Sequence, residues 1–242
     1  SEMVWRYFDE AFHETFWDAG QYFMRTVPIQ ESIETAQRVA PYDDAVELLR
    51  AKDQIVVIDC ICRVRAGKVD EGCGKPLENC FMFGSMGQFY LDRGIGRVVE
   101  IDEAISILDQ CQEAGLVTQP ATAQNPTGMC NCCSDCCAQL AALNKHPRPA
   151  EVVFSNYVAA LDPDDCNGCG TCVERCQVAA LTMDGDDLAS LELARCIGCG
   201  LCVTTCETGA LTLHRKPEEQ LREPPESPLQ QMMTLAMKRG VI

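Results

Sequence analysis

The chain has 242 residues, of which 47% are hydrophobic, 23% are charged and 18 are cysteine, and its formal net charge is −16. This apolar fraction suffices for a packed core in one or two domains, and no apolar stretch approaches the roughly 20 residues that span a bilayer. The charge repels nucleic-acid phosphates, so we expect no nucleic acid and no membrane as a partner of this part of the chain. The negative charge is explained either by simple solubility or by electrostatic steering of this protein towards a basic surface on a partner protein.

Residues 1–40 are predicted to form an aromatic, helical N-terminal arm. Phe8, Phe12 and Phe16 recur every four residues, which places them on one face of a helix. We interpret this face as part of the core, because apolar helix stripes usually face a core. A docking helix is the alternative.

Residues 41–156 are predicted to form a small α+β domain. Asp102 is a plausible N-cap, and Gly115 is expected to end the helix that it begins. The other predicted helices span 43–51, 80–92 and 135–144, the predicted strands span 54–59, 97–101 and 116–118, and 119–128 is a predicted loop.

Residues 157–214 repeat one pattern of strand, cysteine-rich loop, short helix and strand. The predicted strands are 157–161, 181–183, 188–193 and 210–213. Such a repeat builds a pseudo-twofold pair of sites. Residues 215–242 are predicted to be a flexible, proline-rich tail that ends in a short helix. That helix has an apolar face suited to docking, formed by Leu229, Met232, Met233 and Ala236.

Eight cysteines lie in two copies of the pattern C-x-x-C-x-x-C-x-x-x-C. The first copy is Cys166, Cys169, Cys172 and Cys176, and the second is Cys196, Cys199, Cys202 and Cys206. Four thiolates at this spacing can hold a cubane iron–sulfur cluster. Structural zinc is the alternative for paired cysteines, but two complete, duplicated runs favour iron.

These runs resemble the bacterial two-cluster ferredoxins over about 60 residues. The resemblance implies a ferredoxin-like (βαβ)2 domain with two [4Fe–4S] clusters, in which the fourth cysteine of each run reaches across to the other cluster. Cys166, Cys169, Cys172 and Cys206 would then hold the first cluster, and Cys196, Cys199, Cys202 and Cys176 the second. The family usually has proline after the fourth cysteine, whereas this chain has Gln177 and Glu207 there.

A second group of cysteines lies in residues 41–156. Its nine members are Cys60, Cys62, Cys73, Cys80, Cys130, Cys132, Cys133, Cys136 and Cys137. Nine thiols suit two sites, and we predict one or two further iron–sulfur clusters there. Structural zinc and a cluster with bridging thiolates are the alternatives. Cys111 is interpreted as a buried small hydrophobe.

Four cations, Arg63, Arg65, Lys68 and Lys75, accompany this group. They are expected to offset cluster charge, to form a contact patch or to be simply solvated. The whole cysteine pattern resembles a family of long ferredoxin-type proteins of anaerobes, which implies metal binding. Those proteins usually carry an upstream winged-helix-like segment that this chain is expected to lack. A cytoplasmic location is expected on separate grounds, because the cysteine spacing points to metal rather than to disulfides and no segment resembles a signal peptide.

The sequence thus predicts an iron–sulfur protein or subunit that relays single electrons within, or docked on, a larger redox enzyme. The sequence allows two alternative functions. One is an enzyme subunit with a catalytic N-terminal cluster, and the other is a redox-sensing regulatory protein.

Overall fold

The computed structural model describes residues 2–14, 23–33 and 39–241 of the chain. The helices are α1 (Glu2–Glu10), α2 (Ala45–Arg50), α3 (Ile61–Gly67), α4 (Gly84–Leu91), α5 (Ile101–Glu113), α6 (Ala138–Asn144), α7 (Pro149–Val152), α8 (Thr171–Arg175) and α9 (Pro228–Lys238). The strands are β1 (Ile55–Asp59), β2 (Glu78–Phe83), β3 (Arg97–Val99), β4 (Val117–Pro120), β5 (Gly128–Cys132), β6 (Tyr157–Leu161), β7 (Leu181–Met183), β8 (Ala189–Leu191) and β9 (Leu211–Arg215). The fold is therefore mixed α/β, and none of its described helices could cross a membrane.

The larger sheet lies in the cysteine-rich part of the chain. Its strand order is β3-β1-β2-β5-β4, and all neighbouring strands are antiparallel. Successive side chains of a strand point to opposite faces. Ile55 and Val57 of β1 therefore pack with α2 and α5, whereas Val56 and Ile58 face the side that carries Cys60. One face of the sheet is thus an ordinary apolar core, and the other is partly lined by thiols.

The C-terminal part of the chain contains two antiparallel strand pairs, β6 with β9 and β7 with β8. The loop between β8 and β9 approaches its neighbours very closely. A Cβ on Gly198 would lie 2.1 Å from the carbonyl oxygen of Tyr157, and one on Gly200 would lie 2.1 Å from the Ser32 Oγ. Both glycines also have positive φ angles, so the sequence can form this loop only with glycine at these positions.

Two predicted helices are wrong. Residues 80–92 were predicted as one helix, but residues 78–83 form β2 and only residues 84–91 are helical. β2 lies between β1 and β5 and is buried on both faces, and such a strand has a continuous apolar sequence that resembles a buried helix. The second short helix of the repeat is a series of turns at 201–205, where the hydroxyls of Thr204 and Thr205 both bond to the Leu201 carbonyl. The specific (βαβ)2 arrangement is therefore not confirmed.

The N-terminal segments are fixed to the rest by a buried ion pair. Arg25 donates to the Asp43 carboxylate at 3.1 Å and to the Tyr42 carbonyl, and Asp43 accepts at 2.8 Å from Asn156. Burial lowers the pKa of Arg25 to about 10 and raises the pKa of Asp43. This network connects residues 23–33 and 41–43 to the start of β6.

The aromatic arm is described in part. Phe8 and Phe12 lie with ring centroids 4.5 Å apart, and Phe12 packs against the core, in line with the core interpretation. Phe16 lies outside the described residues. At the other end, the segment predicted as a flexible tail makes backbone hydrogen bonds, in which Gln124 and Asn125 donate to residues 225 and 226. Ser227 caps α9 through its hydroxyl, as its sequence suggests.

Candidate metal centres

Four cysteines of the repeat line one small apolar cavity. They are Cys176, Cys196, Cys199 and Cys202, and Ile197 and Leu201 are among the apolar residues beside them. Backbone N–H groups point at two of the sulfurs, from Ala180 to Cys176 at 3.1 Å and from Ala159 to Cys196 at 3.4 Å. Such hydrogen bonds tune the potential of a bound cluster. The structure therefore brings together the predicted second ligand set.

Burial strongly disfavours thiolates in this cavity. It raises the pKa of Cys199 to about 12, and burial together with the charges of Cys199, Cys196 and Cys176 raises the pKa of Cys202 further. Ligation requires deprotonated sulfur, so the positive charge of bound iron is what would stabilise four thiolates here. The donor set and its apolar surroundings fit a [4Fe–4S] cluster.

The other four cysteines of the repeat lie nearer the surface. Burial, and then the charges of Cys169 and Cys166, raise the pKa of Cys172, so these three sulfurs are neighbours. Cys206 lines an open cavity of about 520 Å³ together with Cys169, which is exposed. Cys169 and Cys206 of the predicted first ligand set thus share a site that solvent reaches. The assignment of both sets to clusters stays a prediction.

The glutamine in the usual proline position has a structural role. The Gln177 side-chain oxygen accepts hydrogen bonds from the Ser134 backbone N–H at 2.8 Å and from the Ser134 hydroxyl at 3.1 Å. Its backbone carbonyl accepts from Asn144 at 2.8 Å. Because Ser134 lies within the N-terminal cysteine group, Gln177 connects the repeat to that group next to Cys176. The matching residue of the second run, Glu207, is exposed.

Replacing Gln177 by leucine is expected to lower the free energy of unfolding by about 1–3 kcal/mol, because two buried or half-buried donors of Ser134 lose their acceptor. The measurement is urea unfolding under anaerobic conditions, followed by circular dichroism. Glu207→Leu is the matched control, and its expected effect is within about 0.5 kcal/mol. Equal effects of the two substitutions would show that the Gln177 contact contributes nothing.

Six of the nine N-terminal cysteines form a closed ring of neighbouring sulfurs. In order around the ring they are Cys60, Cys62, Cys137, Cys132, Cys130 and Cys80. Hydrogen bonds between neighbouring thiols lower the pKa of Cys60, Cys130 and Cys137. They raise the pKa of Cys62, Cys80 and Cys132, so the direction of the pKa shift alternates around the ring.

The sheet register explains the ring. Ile58 of β1 pairs with Cys80 of β2, and the next residue of β2, Phe81, pairs with Met129 of β5. Cys80 and Cys130 are therefore neighbours on the thiol-bearing face, and Cys132 follows two residues later on the same face. Cys60 directly follows the end of β1, and Cys137 directly precedes α6. Cys80, Cys130 and Cys132 thus lie on strands.

The remaining three cysteines form a separate group. The sulfurs of Cys73, Cys133 and Cys136 all lie within 4.8 Å of one another. The adjacent pairs in the sequence are therefore divided: Cys132 and Cys137 belong to the ring, whereas Cys133 and Cys136 belong to this group. This division argues against both members of a pair binding one cluster, which was the basis of the bridging-thiolate alternative.

Arg63 lies between the two thiol groups. It is 3% exposed and donates to the Cys133 Sγ at 3.5 Å, to the Asn131 carbonyl at 3.0 Å and to the Pro76 carbonyl at 3.1 Å. The charges of Cys133 and Cys60 raise its pKa against the opposing effect of burial. The four cations are thus not equivalent, since Lys75 instead pairs with Asp135 at 2.9 Å.

Cys111 behaves as the sequence indicates. It is fully buried in α5, and burial raises its pKa to about 12. The division of the nine N-terminal thiols, the position of Arg63 between them and the bond between Gln177 and Ser134 were not predicted. All three depend on contacts between residues far apart in sequence.

Comparison with known proteins identifies one segment. Residues 159–208 match the family described as "4Fe-4S dicluster domain". No curated protein matches the chain. The match supports a ferredoxin-type domain that binds iron–sulfur clusters and an iron–sulfur electron-transfer role for the chain.

Proposed function

We propose that the protein relays single electrons through two [4Fe–4S] clusters in residues 157–214 and through at least one further cluster in its N-terminal cysteine group. The observation that carries this proposal is the match of residues 159–208 to a dicluster domain, within which Cys176, Cys196, Cys199 and Cys202 line one cavity and Cys169 and Cys206 line another. Iron bound by such sets exchanges one electron at a time.

The different solvent exposure of the two predicted ligand sets in residues 157–214 supports a particular order in which electrons pass through the clusters. The first set reaches solvent at Cys169, whereas Cys196 and Cys202 of the second set are buried and Cys176 and Cys199 are partly buried. Gln177, next to Cys176, contacts Ser134, which lies between Cys133 and Cys136 in sequence. The order would therefore run from the first set through the second set to the N-terminal group, with Gln177 and Ser134 at the junction.

The partner would be a larger redox enzyme with a basic docking face. The net charge of −16 supports electrostatic steering towards such a face. α9 offers apolar contact area, because Leu229, Met232, Met233 and Met237 are each at least half exposed.

The test is the metal content and redox behaviour of the full chain, purified without oxygen. We expect about eight irons from the repeat, additional iron from the N-terminal group and at least two one-electron centres in a redox titration followed by EPR. Colourless protein without iron or labile sulfide would refute the proposal. About eight irons in total would confine the relay to residues 157–214.

A further inference from the structure

The three-sulfur group differs from every other cysteine set of the described chain in its spacing. The Cys73 and Cys133 sulfurs are 3.8 Å apart, and Cys136 completes a set of three within 4.8 Å. A single tetrahedral ion with metal–sulfur bonds of about 2.3 Å separates its sulfurs by about 3.8 Å. The observed spacing is therefore that of three ligands to one metal ion.

The six-sulfur ring does not have this geometry. Among the described residues, no three ring sulfurs lie within 4.8 Å of one another, although each contacts two neighbours. Thiolates arranged around a space suit a cluster whose iron atoms are spread among them better than they suit one ion. The nine thiols therefore divide into two chemically different sites.

The small site has three protein ligands and one free position. No other cysteine, histidine or carboxylate of the described residues joins the group. Cys133 and Cys136 are buried, whereas Cys73 is partly exposed in a loop whose neighbours Gly72 and Gly74 are exposed. The free position can therefore be reached from solvent past the Cys73 loop.

A buried cation adds a second observation. The Arg63 Nε is fully buried and has no acceptor in the described part of the chain, although other nitrogens of the same guanidinium donate to Cys133 and to two carbonyls. A cationic donor of this kind, held against the sulfurs, suits thiolate ligands and a small anion near them.

We propose that Cys73, Cys133 and Cys136 bind a single Zn²⁺ ion as three thiolates, with water or a small anion as an exchangeable fourth ligand. Three protein ligands plus one open position is the arrangement of reactive zinc sites, whereas structural zinc is closed by four. The site goes beyond the electron relay, which does not require it.

The test uses the full-length chain, with Cys73→Ser as the variant and Cys111→Ser as the matched control, since Cys111 is a thiol outside both sites. We expect Cys73→Ser to lose about one zinc ion per chain with its iron content unchanged, and Cys111→Ser to retain both metals. Unchanged iron also shows that the variant is folded. Loss of iron in place of zinc would assign Cys73 to a cluster and overturn the proposal.

The wild-type protein gives an independent test that needs no variant. Replacing zinc by cobalt should produce thiolate-to-cobalt charge-transfer absorption and tetrahedral ligand-field bands, and added thiocyanate should shift the ligand-field bands by occupying the fourth position. Zinc X-ray absorption with four sulfurs, or a cobalt spectrum that thiocyanate leaves unchanged, would overturn the open position. The iron content and EPR signals report on the electron relay separately.

Discussion

Replacing Cys176 by alanine is expected to remove the cluster of the second cysteine run and to leave that of the first. Cys176 belongs to the first run in sequence, but it lines the same small apolar cavity as Cys196, Cys199 and Cys202. Loss of one ligand from a cubane should remove about four irons per chain. Cys206→Ala should have the reciprocal effect on the exposed first set.

Double substitutions show which of the two clusters Cys176 binds, because the number of irons lost depends on whether both cysteines serve the same cluster. Cys176→Ala with Cys199→Ala should still lose about four irons, because both ligands serve one cluster. Cys176→Ala with Cys169→Ala should lose about eight, because two clusters are affected. The opposite pattern would show that each run holds its own cluster and that Cys176 does not cross over. Cys111→Ala should retain all iron.

Replacing Arg63 by methionine is expected to weaken metal binding in the N-terminal cysteine group by about 10- to 100-fold, the usual effect of losing a group that supports metal ligands. The guanidinium lies against Cys133 and donates to two backbone carbonyls in a buried site. Methionine fills similar space but supplies neither the charge nor the donors. Anaerobic competition with a chelator, followed by metal analysis of each time point, measures the change.

Two further variants separate the charge of Arg63 from its geometry. Arg63→Lys keeps the charge but lacks the planar set of donors, so we expect an intermediate loss of affinity. Arg65→Met, on the same helix, alters a partly exposed side chain that lies 3.8 Å from Glu71, and we expect little effect on metal binding. Equal metal retention in Arg63→Met and Arg65→Met would contradict a role for Arg63 at the thiols.

Loss of the Arg63 charge should affect the three-sulfur group and the six-sulfur ring in different ways. Arg63 contacts Cys133 of the three-sulfur group directly, and its pKa is also raised by Cys60 of the ring. A buried positive charge stabilises the more negative, reduced form of a cluster. Its removal should therefore lower the potential of any cluster held by the ring, and should leave the clusters of residues 157–214 unchanged.

The sequence alone determined the chemistry of residues 157–214. The first three cysteines of each run lie within seven residues, so one turned loop can direct them to a single cluster, whereas the fourth ligand of each predicted set comes from the other run. Between these cysteines, Gly198 and Gly200 have positive φ angles and lie so close to neighbouring atoms that a side chain would not fit. The strands around the loops were also predictable, whereas the second short helix was not, because threonine hydroxyls compete for its carbonyls.

Only the tertiary structure decided how the nine N-terminal thiols are divided. That division depends on strand register, which places Cys80 beside Cys130, and on the alternation of side chains, which sends Cys132 and Cys133 to different sites. Register is set by the packing of the whole sheet, and residues 60 and 137 are far apart in the chain. The sequence could therefore count these ligands and name their chemistry, but the pairing of strands determined which of them meet.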